Sequence, residues 1–255
     1  MPELPDLSIN KDKVKDTIRK KVKPGKSGGH DNVFSKDLSL FGDFAASGLS
    51  EIMNKCIERS QFPSQWKISK VCALFKKGSR MERENHRPIS LLGIPSKVLE
   101  SIICDNIDTY FTRSHLASPH QWAYKEGYST ELLLLHLTEV WKNEVDRGNV
   151  VGVLFIDFKK AFDSVCHKTL KGKLLAYGIK GKLYDILDDY LTERKQYVVV
   201  NGQSSNHNEV KYGVPQGSLL GPRLFAIQVN DLPNVPSKGT LEMFADNILL
   251  CWENG

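Results

Sequence analysis

Two carboxylates placed at the ends of apolar stretches carry most of the chemistry this chain could do. In LEMFADNILLCW, Leu241 to Trp252, the pair Asp246-Asn247 separates two short apolar runs, which predicts two strands joined by a tight turn at that pair. A charge raised on a hairpin tip is costly unless something positive meets it, although Asp-Asn is also ordinary turn chemistry. In LFIDFKKAFDSV, Leu154 to Val165, Asp157 follows seven apolar or glycine residues. The run Val150 to Phe158 reads as a strand covered on both faces, with Asp157 at its mouth. A carboxylate there is either a helix cap or a metal ligand, because Mg²⁺ favours one or two carboxylates completed by substrate phosphates. Asp163, six residues further on, is read as structural.

A third segment, YGVPQGSLLGP from Tyr212 to Pro222, is rich in glycine and proline and then opens a helix. Such a loop lets backbone approach a ligand closely. Gln216 at its centre offers both a donor and an acceptor, and Ser218 suits the helix cap. Taken alone, it is a turn.

These segments need a scaffold, and composition allows one. The chain has 255 residues, 40% of them hydrophobic, enough for one sizeable core or two lobes. No apolar run approaches the roughly 20 residues of a membrane span, and the start MPELPDLSINKDK lacks a signal-peptide core. An intracellular protein is therefore expected, in nucleus or cytoplasm. Five scattered cysteines without a Cys-x-x-Cys spacing argue against a zinc site or a disulfide frame. Net charge is +5, gathered in three clusters: eight Lys/Arg within 11–26, seven within 67–87 and seven lysines within 159–182. Each cluster alone is a solvated surface; together they favour a polyanion such as nucleic acid.

Helical spacing predicts helices over Asp43–Arg59, Ile94–Phe111 with Ser96 as cap, and Thr130–Val145 with Thr130 as cap. Further helices are expected over Leu170–Tyr177, Lys182–Leu191 and Leu219–Asn230. Strands are expected over Lys70–Phe75, Gln196–Asn201 and Glu209–Tyr212. The Leu132–Leu135 stripe reads as core packing. Alternating elements of this kind indicate an α+β, or mixed α/β, chain.

The strand ending in Asp157, the Pro-Gln-Gly loop and the Phe-Ala-Asp hairpin, in this order, resemble the palm of reverse transcriptases, most of all those of non-LTR, LINE-type retrotransposons. The resemblance extends upstream. ENHRPISLL (Glu84 to Leu92) is similar to the family's Asn-Tyr-Arg-Pro-Ile-Ser block, with His86 in place of Tyr. WKISKVCALFKKG, QWAYKEGYST and KSGGHD (Lys26 to Asp31) resemble further family segments, with Lys125 and Tyr128 standing where Arg is common.

This resemblance implies a right-hand polymerase: a lysine-rich helical extension over 1–65, fingers and a first palm helix over 66–149, and palm over 150–255. It implies two Mg²⁺ ions roughly 3.5–4 Å apart, held by Asp157 and Asp246, with RNA template, DNA primer and deoxynucleoside triphosphates as partners. Phe162 matches the aromatic under the incoming sugar, Gln216 and Gly217 the loop on nucleotide and template, and Arg87 the residue on the triphosphate. Lys76 and Lys77 are further candidates for the triphosphate. Read alone, Arg87 is a surface residue fixed by Pro88, Phe162 is core packing, and the two lysines are solvated.

Two departures point to an impaired or incomplete copy. Asn247 replaces the family's second Asp, removing a charge and presenting an NH₂ donor where a metal needs an acceptor. The chain also ends at Gly255, so a missing thumb is expected. The competing reading is a non-catalytic nucleic-acid-binding remnant. A hydrolase using Asp157 and Asp246 as an acid/base pair is a more distant one, and it leaves the Gln216 loop unexplained.

Overall fold

The computed structural model describes residues 7–22, 25, 28–235 and 239–254, without the side chains of the last two. Lys26 and Ser27 of the KSGGHD segment lie outside the described residues. Helices α1 (Lys11–Lys21) and α2 (Ser35–Arg59) lead into β1 (Ile68–Phe75), β2 (His86–Leu91), α3 (Ile94–Arg113) and α4 (Thr130–Asp146). There follow β3 (Val150–Asp157), α5 (His167–Ala176), α6 (Gly181–Leu191), β4 (Lys195–Val200), β5 (Gln203–Ser204) and β6 (Asn208–Glu209). The described chain closes with α7 (Leu220–Val229) and the hairpin β7 (Thr240–Phe244) and β8 (Asn247–Asn254). Two sheets result: β2-β1-β4-β5, with β6 also on β4, and β3-β8-β7. The chain is mixed α/β, as its pattern predicts.

Helix α3 is the axis of the main core. Val98, Leu99, Ile102, Ile103 and Ile107 are all buried, as their 3.6-residue spacing requires. Each contributes about 1.5–3 kcal/mol by leaving water. Its N-cap is Gly93, followed by Pro95 in the first turn, so Ser96 is not the cap. The Ser96 hydroxyl instead donates to Glu100 one turn later. Likewise α4 is capped by Ser129, whose side chain accepts from the Leu132 N–H, and not by Thr130. Of the predicted strand over Glu209–Tyr212 only Glu209 lies in a strand, as the second residue of β6.

Two burial expectations are corrected. Strand β3 is not covered on both faces: Phe155 is 71% exposed and Leu154 47%. An unbroken apolar run usually marks a central parallel strand, but β3 pairs antiparallel with β8 alone among the described residues and lies at the sheet's edge. In α4 only Leu133 of the Leu132–Leu135 stripe is buried, together with Leu137 one turn on. Consecutive helical residues point about 100° apart and cannot share one face. Among the described residues, no helix is long and apolar enough to cross a membrane.

Candidate active site

The β3–β8 ladder sets one predicted carboxylate, Asp157, against the residue that follows the other. Asp157 at the end of β3 stands directly opposite Asn247, the first residue of β8. Side chains of such a pair share one face, with Cβ atoms about 4.5–5.5 Å apart. The hairpin turn differs from its prediction by one residue. Phe244 pairs with Asn247, so the two turn residues are Ala245 and Asp246, and Asn247 belongs to the strand. Ala245 takes the left-handed conformation, φ +56°, that two-residue hairpin turns favour at their centre. Asp246 is therefore at the tip, half-buried, and next in sequence to the exposed Asn247, which faces the exposed Asp157.

A second assembly joins the turn after β3 to the Pro-Gln-Gly loop. The Gly213 N–H donates to the Val165 carbonyl and the Val214 N–H to the Phe162 carbonyl, both at 2.8 Å. Gln216 Nε2 donates to Asp163 Oδ1 at 3.0 Å. His167 Nε2 meets the Gly213 carbonyl at 2.7 Å. Phe162 is half-buried and stacks on Phe225 of α7, ring centroids 5.0 Å apart and planes at 26°. Ser218 closes the loop: its hydroxyl donates to the Pro215 carbonyl and accepts from the Gly221 N–H.

The loop also reaches β2. The Ser90 N–H donates to the Gln216 carbonyl at 2.7 Å. Three residues before Ser90, Arg87 is exposed on the same strand, opposite Leu74 of β1. Lys76 and Lys77 are exposed in the connection after β1, where the Lys76 N–H donates to the Asn85 carbonyl. Upstream, Gly29 is pressed against the backbone of Leu92 and Gly93, and the Asp31 carboxylate against Gly93. The described part of KSGGHD, Gly28 to Asp31, thus docks on the end of the ENHRPISLL block.

Near the tip, Tyr124 has its hydroxyl pushed up to about 12, by burial first and by the Asp246 charge second. As metal donors the site offers two carboxylates and one amide oxygen, and no group of three His, Cys, Asp or Glu gathers among the described residues. Oxygen donors of this kind are the type that hard divalent cations take.

The family described as reverse transcriptase (RNA-dependent DNA polymerase) matches residues 75–254, from the end of β1 through the hairpin. The chain belongs to the reverse transcriptase family. Its similarity to the probable RNA-directed DNA polymerase from transposon BS of Drosophila melanogaster is 32% identity over 98% of this chain and 28% of that protein. The probable RNA-directed DNA polymerase from transposon X-element of the same species is 30% identical over 90% of this chain and 26% of the relative. The polymerase from mobile element jockey, again from Drosophila melanogaster, is 28% identical over 90% of this chain and 25% of its own length. These are non-LTR elements, and the chain spans about a quarter of each relative's length.

The spacing of this reverse transcriptase chain left three positioning residues unnoticed. Ser90 ties β2 to the loop through its backbone. Buried Glu100 accepts the N–H groups of Leu219 and Leu220 at the start of α7. Gln121, the first residue of QWAYKEGYST, bonds the hairpin turn.

The loop predicts its own weak point. Gly217 has φ +118°, and a Cβ on it would lie 2.6 Å from the Ser90 carbonyl oxygen. Gly217→Ala is expected to cost about 1–3 kcal/mol, read as a lower urea midpoint. An unchanged midpoint would mean that the loop is free to leave β2.

Proposed function

We propose that this chain forms the fingers and most of the palm of an RNA-directed DNA polymerase of a non-LTR retrotransposon, and that this copy polymerises poorly. The division is proposed as a helical extension over 1–65, fingers with the first palm helix over 66–149, and palm over 150–255. The reaction is addition of deoxynucleotides to a DNA primer 3′ end, copied from an RNA template. The observation that carries this reading is the register placing Asp157 opposite Asn247, with Asp246 in the adjoining turn.

Asp157 and Asp246 would hold Mg²⁺, with the Asn247 amide oxygen as a weak third donor. The chemistry supplied by bound Mg²⁺ is charge stabilisation at the primer oxygen and the departing pyrophosphate. The protein's own share is positioning. Phe162, backed by Phe225, offers a flat apolar surface for the incoming sugar. Gln216 and Gly217, laced to β2, present backbone to nucleotide and template. Arg87, with Lys76 and Lys77, presents positive charge to the triphosphate, where it offsets charge that grows during transfer.

Primer extension on an RNA template with Mg²⁺ is the test. Template-dependent extension is expected, faint in this chain and absent in Asp157→Ala. The second reading, a nucleic-acid-binding remnant, is favoured by the missing charge at Asn247. It prevails if no variant extends a primer, Asn247→Asp included, while RNA binding weakens steeply with salt.

A further inference from the structure

A carboxylate that must stand beside Asp157 is carried here on a two-residue turn, and turn tips are where backbone motion concentrates. The β3–β8 ladder ends at Asp157 and Asn247, so it does not reach Ala245 or Asp246. A segment outside the hairpin reaches them. The Met243 N–H donates to the His120 carbonyl and the Trp122 N–H to the Met243 carbonyl, both at 2.8 Å, laying 120–122 alongside β7. Trp122 Nε1 donates to Glu242 Oε2 at 2.7 Å, and His120 Nδ1 lies 3.0 Å from Glu242 Oε1, which fastens the segment to the strand.

The Gln121 side chain continues past the end of β7. Its Oε1 accepts the N–H of Ala245 and that of Ala123, each at 3.0 Å. Its Nε2 donates to the Ala245 carbonyl at 3.4 Å. One amide therefore bonds both backbone groups of the one residue in the turn held at positive φ. Gln121 is 4% exposed, so water offers these groups little replacement.

We propose that Gln121 is the positioning residue for Asp246, a clamp on Ala245 that fixes where the tip carboxylate stands. Its geometry is independent of the polymerase reading; its consequence for cation binding rests on that reading. A buried glutamine that merely completes the fold would affect the whole hairpin and its neighbours alike. A clamp affects the turn.

The test uses the full chain with Gln121→Ala and Gln121→Glu, each also combined with Asn247→Asp. Amide hydrogen exchange is read on the segment 244–247 and on 249–252. Gln121→Ala is expected to speed exchange in the first by about tenfold, the loss of one to two buried hydrogen bonds, and to leave the second unchanged. Gln121→Glu keeps the acceptor for the Ala245 N–H and is expected to recover most of the protection. In the Asn247→Asp background, Mn²⁺ binding followed by electron paramagnetic resonance is expected to weaken about tenfold with Gln121→Ala. Unchanged exchange at the turn, or equal acceleration in both segments, overturns the clamp. Mn²⁺ binding that fails in Asn247→Asp itself counts against the metal site, while the exchange result still decides what Gln121 does.

Discussion

Asn247→Asp is expected to raise Mg²⁺-dependent primer extension by about 10²–10³-fold, the scale seen when one preorganised electrostatic group is removed from an active site. That corresponds to about 3–4 kcal/mol of barrier. The reason lies in the ladder. Asn247 is directly opposite Asp157, on the same face of the sheet, and next in sequence to Asp246. An amide keeps the shape of a carboxylate and one acceptor oxygen, but it loses the charge and adds a donor. The same geometry predicts a cost without metal. Two carboxylates facing each other across an antiparallel pair repel, by about 0.2–1 kcal/mol. The variant should therefore melt below the parent in EDTA, and Mg²⁺ should raise its Tm more than the parent's. Equal extension by the two proteins would mean that the amide oxygen already serves.

The elements were far more legible in the sequence than the contacts between them. Periodicity places α3, α5, α6 and α7 within a few residues, because a buried helical face demands apolar residues at fixed spacing. The hairpin is also found, with an error of one residue at its turn. Asp-Asn is better turn chemistry than Ala-Asp, and the sequence does not show that Ala245 takes a positive φ with its N–H bonded by Gln121 from outside the hairpin. Exposure of β3 was not legible, since an apolar run does not say which of its edges is paired. The links among Phe162, Asp163, Gln216 and Ser90 run largely through backbone groups, which every residue carries and no spacing advertises. Buried polar side chains were missed for the opposite reason. Nothing in the spacing marks Glu100 or Arg194 as interior, and both are enclosed.

That enclosure makes Glu100→Ala the largest stability loss expected here, about 3–5 kcal/mol, as when one member of a buried charge network is removed. Glu100 Oε1 accepts the Ser96 hydroxyl at 2.9 Å, and Oε2 accepts the N–H groups of Leu219 at 2.8 Å and Leu220 at 3.3 Å. Those two are first-turn donors of α7 with no partner inside the helix, and a negative charge suits that end. Alanine leaves them unbonded in a dry interior and strips the nearby Arg194 guanidinium of its counter-charge. Arg194 already has one nitrogen, Nη2, unbonded among the described residues. Glu100→Gln retains an acceptor for the helix and a donor for Ser96, so about 1 kcal/mol is expected. The pH response separates burial from pairing. Burial pushes the Glu100 carboxyl above its ordinary value, against the pull of Arg194 and the three hydrogen bonds. A folded-state pKa above the unfolded one means that the native protein binds the extra proton. Its stabilising contribution is full below about 4.5, the unfolded value, and is lost as pH rises through the raised one. Urea unfolding from pH 4.5 to 8 should thus show the parent losing stability relative to Glu100→Gln as pH increases, with the other titrating groups common to both chains. A parent that gains relative to Glu100→Gln over that window would mean that pairing with Arg194 outweighs burial, and that α7 and its loop are held by an ion pair.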